Sequence, residues 1–364
     1  MTKDSHKNRV GFFVSSDSWI NHQQWHHEVS RALYGRGYAV SIIAPKGSKL
    51  YSKSKRYGIS FSRFKKRIFL LTAIIELIKI LRRESISTLF INHPKDLRKA
   101  AVAARLAGVK KIIYRRGTVS PVKRNLINKW IFNRMITEVI TNSDANRDVM
   151  TRKKPKLFNR EKINVIYNGL DISKFDQKNL TVHNFRKNGE VIIGLLTGHF
   201  NIDRFIQLIR MINRDSGISS HYRFLIYGNK HKNSDLSKRL KGLGVNGKLV
   251  HWDSRSKNLL DFMNSIDVFM SGYLRHSFNY PVLYAMALNK PVIGYNVGSN
   301  PEMIRDNSNG FLLKSGDLQG AIKKLEALTD DQLRKKLGEE GRKTVRSKFN
   351  FQHSIDQIEE LIEQ

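Results

Sequence analysis

The segment Gly298-Ser299-Asn300-Pro301-Glu302 carries residues of the kind that hold phosphate. Small side chains after an apolar run let the backbone come close to a ligand, and a helix opening there offers amide groups to a diphosphate. The same five residues also suit an ordinary strand-to-helix turn. Arg115-Arg116-Gly117 follows another apolar run and suits an acidic or phosphorylated ligand, as it suits plain surface charge. In Ser15-Ser16-Asp17-Ser18, Ser16 and Asp17 are candidates to contact a ligand hydroxyl, and helix capping accounts for Asp17 equally. Metal chemistry and a metal cofactor are not expected. The chain has no Cys, no Asp-x-Asp and no HExxH spacing, and the adjacent His26 and His27 fall on different faces of a helix.

The elements that must position these residues alternate along the chain. Apolar runs at 9–14, 38–44, 88–91, 111–114, 139–141 and 163–167 read as strands, with helical patterns between them. Residues 176–189 are polar, lack periodicity and read as a linker. The alternation then restarts, with strands at 191–196, 224–227, 248–251, 268–270 and 292–295. Strand–helix alternation of this kind predicts an α/β fold with a parallel, doubly wound sheet in each half, and 364 residues suffice for two cores. Open sheets of this type bind ligands beyond the carboxyl ends of their strands, so a cleft between two such halves is the expected site.

Four segments resemble the family 4 glycosyltransferases in order and spacing: SDANRDVM (143–150), VIYNGLDISKF (165–175), SIDVFMSGY (265–273) and AMALNKPVIGYNVGSNPEMIRDNSNGFLL (285–313). The resemblance implies a GT-B fold, two Rossmann-like domains facing across a cleft. An acceptor domain is expected at 1–180 and a nucleotide-sugar domain at 181–345, with the C-terminal stretch 346–364 returning to the first. It further implies transfer of a sugar from a nucleotide-sugar donor, with retention of configuration and without metal. The family's phosphate-binding pattern falls on Gly198-His199-Phe200-Asn201-Ile202-Asp203-Arg204-Phe205, so Arg204 is the candidate that stabilises the leaving diphosphate, together with the amides near Gly298 and Ser299 and with His199, while Gly198 joins the donor-binding set. His93, directly after a strand, matches a position that meets the donor sugar. The family's two donor-site glutamates fall on His276 and Tyr284, neither an anionic acceptor; His276 would meet the sugar and Tyr284 the ribose. Phe278, Gly298, Ser299 and Glu302 complete the expected donor set.

Charge is the other informative feature. The net charge is +34, and residues 1–190 hold 40 Lys and Arg against 13 Asp and Glu, whereas 191–364 hold 25 against 18. Between Lys46 and Arg67 stand nine cations and no acid, interleaved with Tyr51, Tyr57, Phe61 and Phe64 and followed by an apolar helix from Ile68. That mixture suits attachment to an anionic membrane surface, each cation near the leaflet adding about 1 kcal/mol. The opening MTKDSHKNRVGFFV lacks the pattern of a signal peptide. Location in the cytoplasm, peripheral at the inner membrane face, is therefore expected. The partners expected are a nucleotide sugar and an anionic glycan or glycolipid acceptor such as lipopolysaccharide core. A non-catalytic relative would accommodate the lost glutamates, and a nucleic-acid-binding protein the charge. No helix-turn-helix, zinc-finger or RNA-binding consensus accompanies that charge, so no specific nucleic acid is expected.

Overall fold

Runs such as VGFF, VSIIA, TLFI and VIIGLL have no polar face at all, and each is buried along its whole length. Such strands belong inside parallel sheets covered on both sides. The computed structural model describes residues 9–17, 21–65, 69–117, 125–152, 160–185, 189–215, 219–228, 233–245, 247–272 and 278–364. Ser18, Trp19, Lys66, Arg67, Ile68 and the candidate His276 lie outside the described residues. The described residues form two units, one of residues up to Tyr167 together with Gln352–Gln364 and one of Asn168–Phe351.

The first unit holds a seven-stranded sheet in the order β3-β2-β1-β4-β5-β6-β7. Its strands are β1 (Val10–Phe13), β2 (Val40–Ala44), β3 (Ser60–Arg63), β4 (Thr88–Ile91), β5 (Lys111–Arg116), β6 (Glu138–Thr141) and β7 (Ile163–Val165). The second unit holds six strands in the order β10-β9-β8-β11-β12-β13. These are β8 (Val191–Leu196), β9 (Tyr222–Tyr227), β10 (Val250–Trp252), β11 (Val268–Ser271), β12 (Val292–Tyr295) and β13 (Phe311–Leu313). Every pairing is parallel, in register such as Phe12 opposite Ile42 and Phe90, and Ile193 opposite Phe224 and Val268. Both halves are thus α/β and doubly wound, as the alternation predicts.

Two strands escape the sequence reading, and both lie at a sheet edge. β3 is SFSR, with only Ser62 buried, and it lies within the basic Lys46–Arg67 segment, after the short helix Lys49–Lys55. β13 has three residues, too few for periodicity to register. The polar segment read as a linker lies against the second unit. There Thr181 N donates to Asp261 Oδ1 at 3.1 Å and His183 N to Ser265 Oγ at 2.9 Å.

The terminal helix Phe351–Glu363 completes the first unit. Ile355, Ile358, Leu361 and Ile362 are buried, Arg36 pairs with Asp356 at 2.6 Å and with Glu359, and Lys111 Nζ donates to the carbonyls of Leu361 and Ile362 at 2.9 and 3.0 Å. Burial and the Glu363 carboxylate, which accepts from the phenol at 2.6 Å, push the Tyr38 pKa up.

Gly169, inside the VIYNGLDISKF segment, allows the chain to cross itself. Leu170 N donates to Phe349 O at 2.8 Å and Phe351 N to Leu170 O at 3.1 Å. A Cβ on Gly169 would stand 2.5 Å from the carbonyl of Asn350 and from Cα of Phe351. Gly169→Ala is therefore expected to destabilise the protein by about 1–3 kcal/mol, because only backbone can yield. Gly242→Ala, at a helix end with nothing within 4 Å of the added carbon, should stabilise by about 0.5 kcal/mol. Urea denaturation of the two variants beside the parent checks both signs.

Candidate functional site

In the second sheet the strand order reverses between β8 and β11, and the crevice outside their carboxyl ends is where open parallel sheets take ligands. β8 ends in Thr197-Gly198-His199-Phe200-Asn201. Gly198 turns at φ +78°, and Asn201 caps the helix Ile202–Arg214 by accepting from Arg204 N at 3.0 Å. That cap places the Arg204 side chain at the carboxyl edge of the sheet. Its Nη1 donates to Ser315 Oγ at 3.2 Å, beyond the end of β13. Gly316, at φ +87°, leaves room for the guanidinium, since an added Cβ would lie 3.3 Å from Arg204 Cζ. A small cavity beside it is lined by Leu195, Phe200, Arg204, Met270, Gly272 and Tyr295. Gly272 is forced by this closeness, because a Cβ there would meet Phe200 Cβ at 2.5 Å. Burial pushes the Tyr295 phenol up while the Arg204 charge opposes the shift.

His199 is half-buried, and burial lowers its pKa, so it is neutral at neutral pH. It can offer a ligand an N–H but no full charge. Arg204 brings a cation to this crevice.

A second polar group stands at the ends of β11 and β12. Asn279 N donates to Ser299 Oγ at 3.2 Å, and Asn279 Nδ2 to Ser271 Oγ at 2.8 Å and Asn300 Oδ1 at 2.9 Å. Asn300 Nδ2 in turn donates to Tyr295 O at 2.8 Å. All four side chains are buried, and Asn279 Oδ1 is buried with no hydrogen-bond partner. Sequence reasoning missed Asn279. Its signal was a polar residue between two aromatics at the start of the helix Tyr280–Ala287, whose Pro281 fixes the first turn.

The glycine loop behaves differently from a long phosphate-binding helix. Gly298 turns at φ +61°, but the helix after it, Asn300–Met303, is a single turn. The amides of Asn300 and Glu302 already donate to Val297 O and Ser299 O, and Glu302 O accepts from Lys348 Nζ at 3.0 Å. Tyr284 lies between the rings of Phe175 and Tyr280, at 5.4 and 6.1 Å, and Phe278 packs on Tyr280 and Phe349. Phe278 and Tyr284 thus belong to one aromatic cluster beneath the start of that helix.

In the first sheet the order reverses between β1 and β4. The loops after these strands are tied together by Asp96, which accepts from Ser15 N at 3.0 Å and from Ser15 Oγ. Lys99 Nζ reaches Asp96 Oδ1 and Ser15 Oγ, both at 2.7 Å, and lies 5.7 Å from the centre of the Phe13 ring. Asp96 is completely buried. The neighbouring loop residue His93 is half-buried and its Nδ1 accepts from Lys95 N at 3.2 Å. Ser16 is half-buried and Asp17 exposed at the same end of the sheet.

Arg115 and Arg116 are not surface charges, being 4% and 5% exposed. Successive strand residues face opposite ways, so the two part company. Arg115 stacks 4.5 Å over Trp25 and donates to Asn92 Oδ1 at 3.1 Å, beside His93, whereas Arg116 donates to Tyr114 Oη at 3.3 Å. The structure therefore joins Ser15, Asp96 and Lys99 at the switch point, with Arg115 on the Trp25 face of the sheet beside Asn92 and Arg116 on the opposite face with Tyr114. Among the described residues no three His, Asp or Glu side chains gather as a metal-binding group.

A family model described as "Glycosyltransferase Family 4" matches residues 24–174, and one described as "Glycosyl transferases group 1" matches 176–344. The UDP-Gal:alpha-D-GlcNAc-diphosphoundecaprenol alpha-1,3-galactosyltransferase of Escherichia coli is 24% identical over 312 residues, covering 79% of this chain and 78% of that one. Among solved structures, a glycosyltransferase from Rickettsia africae superposes with a TM-score of 0.83 at 16% identity, covering 98% of each chain. HepE of Anabaena, in complex with UDP, gives a TM-score of 0.78 at 15% identity, covering 98% of this chain and 100% of that one. With glycosyltransferase models lying end to end over two doubly wound parallel sheets, the chain is a glycosyltransferase of the GT-B type, akin to family 4.

Proposed function

We propose that the protein transfers a hexosyl or related sugar from a nucleotide sugar to a hydroxyl of a cell-envelope glycan or glycolipid, with retention of configuration and without metal. The observation that carries this reading is Arg204, fixed by Ser315 at the carboxyl edge of the second sheet beside a backbone kept open by Gly272 and Gly316. The names of the relatives support the donor and acceptor classes: one uses UDP-galactose and a lipid-linked diphosphate sugar, another holds UDP.

In the reaction, the bond between the sugar's anomeric carbon and the diphosphate oxygen breaks, and a bond to the acceptor oxygen forms. The acceptor's proton passes to the departing diphosphate. Charge accumulates on that leaving group, where a guanidinium fixed in place is worth more than a mobile cation because it needs no reorganisation. Arg204 has that role, with neutral His199 donating beside it. His93 and His276 are assigned to the donor sugar, and Tyr284 to the ribose in place of the family's glutamate. Gly298, Ser299, Phe278 and Glu302 belong to the donor set, Glu302 through its helical turn. On the first unit Ser16, Asp17 and Arg115 are assigned to the acceptor; Arg116 turns to the other face, its backbone carbonyl accepting from Asn146 Nδ2.

Arg204→Ala is expected to lower kcat by about 10²–10³-fold, the usual loss of one fixed leaving-group donor, with Arg204→Lys recovering only part. Steady-state kinetics with UDP sugars check this, and an unchanged kcat in Arg204→Ala would remove the residue from the reaction. Thermal melting should rise by a few degrees with saturating UDP or a UDP sugar, since a ligand at 100 times its Kd adds about 2.7 kcal/mol. The rise should vanish in Arg204→Ala. Turnover should persist in excess EDTA; complete loss restored by Mg²⁺ or Mn²⁺ would overturn the metal-free step.

A further inference from the structure

Two helices of the first unit carry more apolar surface than their sheet can bury. In Leu70–Arg83, the side chains of Ala73, Ile74, Leu77, Ile80 and Leu81 face the core, which is all the apolar surface a covering helix needs. The helix nevertheless begins with exposed Phe69, Leu70 and Leu71, and Ile75 continues one turn on from Leu71. Leu71 is 73% exposed, and Lys79 extends the same face toward solvent. The helix Leu126–Arg134 repeats the feature. Ile131 and Phe132 are buried, while Leu126 at 84%, Ile127 and Trp130 are exposed, with Lys129 and Arg134 exposed alongside.

The topology puts these two apolar tips at one end of one face. Each helix runs back between parallel strands, so each begins at the sheet's carboxyl edge. Both pack on the helix Leu97–Ala107 between them. With helix axes 8–10 Å apart, the tips stand about 20 Å from each other. The strip between them belongs to the start of Leu97–Ala107, where Lys95 and Arg98 are exposed. Arg63 and Lys65 are exposed after β3, and Lys46 and Lys49 after β2, all at the carboxyl edge as well.

We infer that this edge of the first unit is a docking surface for an anionic lipid bilayer, with Phe69, Leu70, Leu71 and Ile75 forming one interfacial tip and Leu126, Ile127 and Trp130 the other. The cationic strip meets the lipid headgroups between them. Two apolar tips flanking positive charge, one carrying a tryptophan, match the layering of a leaflet, where acyl chains lie beneath anionic headgroups and aromatic rings settle at the boundary. A second copy of the chain is a poorer occupant. A two-fold pairing through this face would set its cationic strip against itself in a molecule of net charge +34. Attachment is interfacial: the helix has 14 residues, and among the described residues none is long and apolar enough to cross a membrane.

This places the anchor elsewhere than the aromatics of the Lys46–Arg67 segment. Phe64 is in the core, packed edge-on against Phe13, and Tyr51 and Phe61 pack on each other with ring centres 4.3 Å apart and planes tilted by 50°. Tyr57 is exposed, under the guanidinium of Arg31. That segment contributes cations, and the insertion belongs to the helix starts.

The test uses the full chain and vesicles of phosphatidylcholine, alone or mixed with phosphatidylglycerol, read by co-sedimentation at low salt. Binding is expected to the mixed vesicles and to be weak on phosphatidylcholine alone. Leu71→Gln/Ile75→Gln and Leu126→Gln/Trp130→Gln should each weaken it by at least about ten-fold. Their unchanged melting temperatures and unchanged UDP response would show intact folds and keep this result separate from the fate of the catalytic reading. Tryptophan emission should shift to the blue on the mixed vesicles, and Trp130→Phe should abolish that shift. Failure of the parent to bind mixed vesicles overturns the proposal. So does equal binding by parent and both Gln pairs, which would reduce the contact to charge alone. A concentration-dependent dimer lost in the same variants, without vesicle binding, would assign the surface to a second copy instead.

Discussion

A sheet whose strands all run parallel has to be covered on both faces, because every connection crosses over it and each strand is buried on each side. Both sheets of this protein are of that kind, and much of the molecule follows from it. The central strands β1, β4, β8 and β12 are mostly apolar, so polar side chains collect where such strands end. Every covering helix starts at the carboxyl edge, so loops, caps and glycine turns collect there. Where strand order reverses, adjacent loops diverge and leave a crevice. Arg204 and Asn279 in one unit, and Asp96, His93 and Arg115 in the other, all stand at those edges for this reason. The chemistry was not distributed over the fold; the fold had one kind of place for it.

The two crevices are filled differently, and the difference is electrostatic. At β1 and β4 a buried carboxylate, Asp96, meets Lys99 and two donors of Ser15, so the charges are paired and hydrogen-bonded on the spot. Burying a charge is tolerable only under such conditions. At β8 and β11 the contacts of Arg204 are a hydroxyl and the flat edge of a glycine turn. A guanidinium held in that way retains its capacity for phosphate oxygens, whereas the Asp96 cluster is already internally satisfied. The first crevice is a rigid loop clamp with a histidine beside it; the second is a site with positive charge to offer.

Sequence carried the central strands well because their apolar runs are continuous, and the turn at Gly298 falls inside the segment 285–313 that the resemblance singled out. It failed at the edges, where β3 needs few apolar residues and β13 has only three residues in all. It also could not see pairings set by distant residues. Ser15 and Asp96 are far apart in sequence and meet only because β1 and β4 are neighbours. Arg115 and Arg116 looked equivalent as a dipeptide; strand alternation sends one to Trp25 and the other to Tyr114. Asn279 was missed for a related reason. A polar residue between two aromatics takes its meaning only when the buried Ser271, Ser299 and Asn300 are placed around it.

The same constraint explains why apolar surface can be left over at helix starts. A helix covering a sheet is apolar along one stripe, and its first turn overhangs the strand ends, where nothing lies beneath it. In an ordinary water-facing protein that overhang would be polar. In Leu70–Arg83 and Leu126–Arg134 it is Phe, Leu, Ile and Trp instead, and the loops between supply Lys and Arg. The positive excess of the first half is therefore not a uniform coat: at the sheet's carboxyl edge it accompanies the exposed apolar side chains. Charge alone would attract any polyanion, and apolar tips alone would promote self-association. Their combination at one edge selects a surface that is anionic outside and oily beneath, and it sets that surface at the same end of the unit as the crevice between β1 and β4.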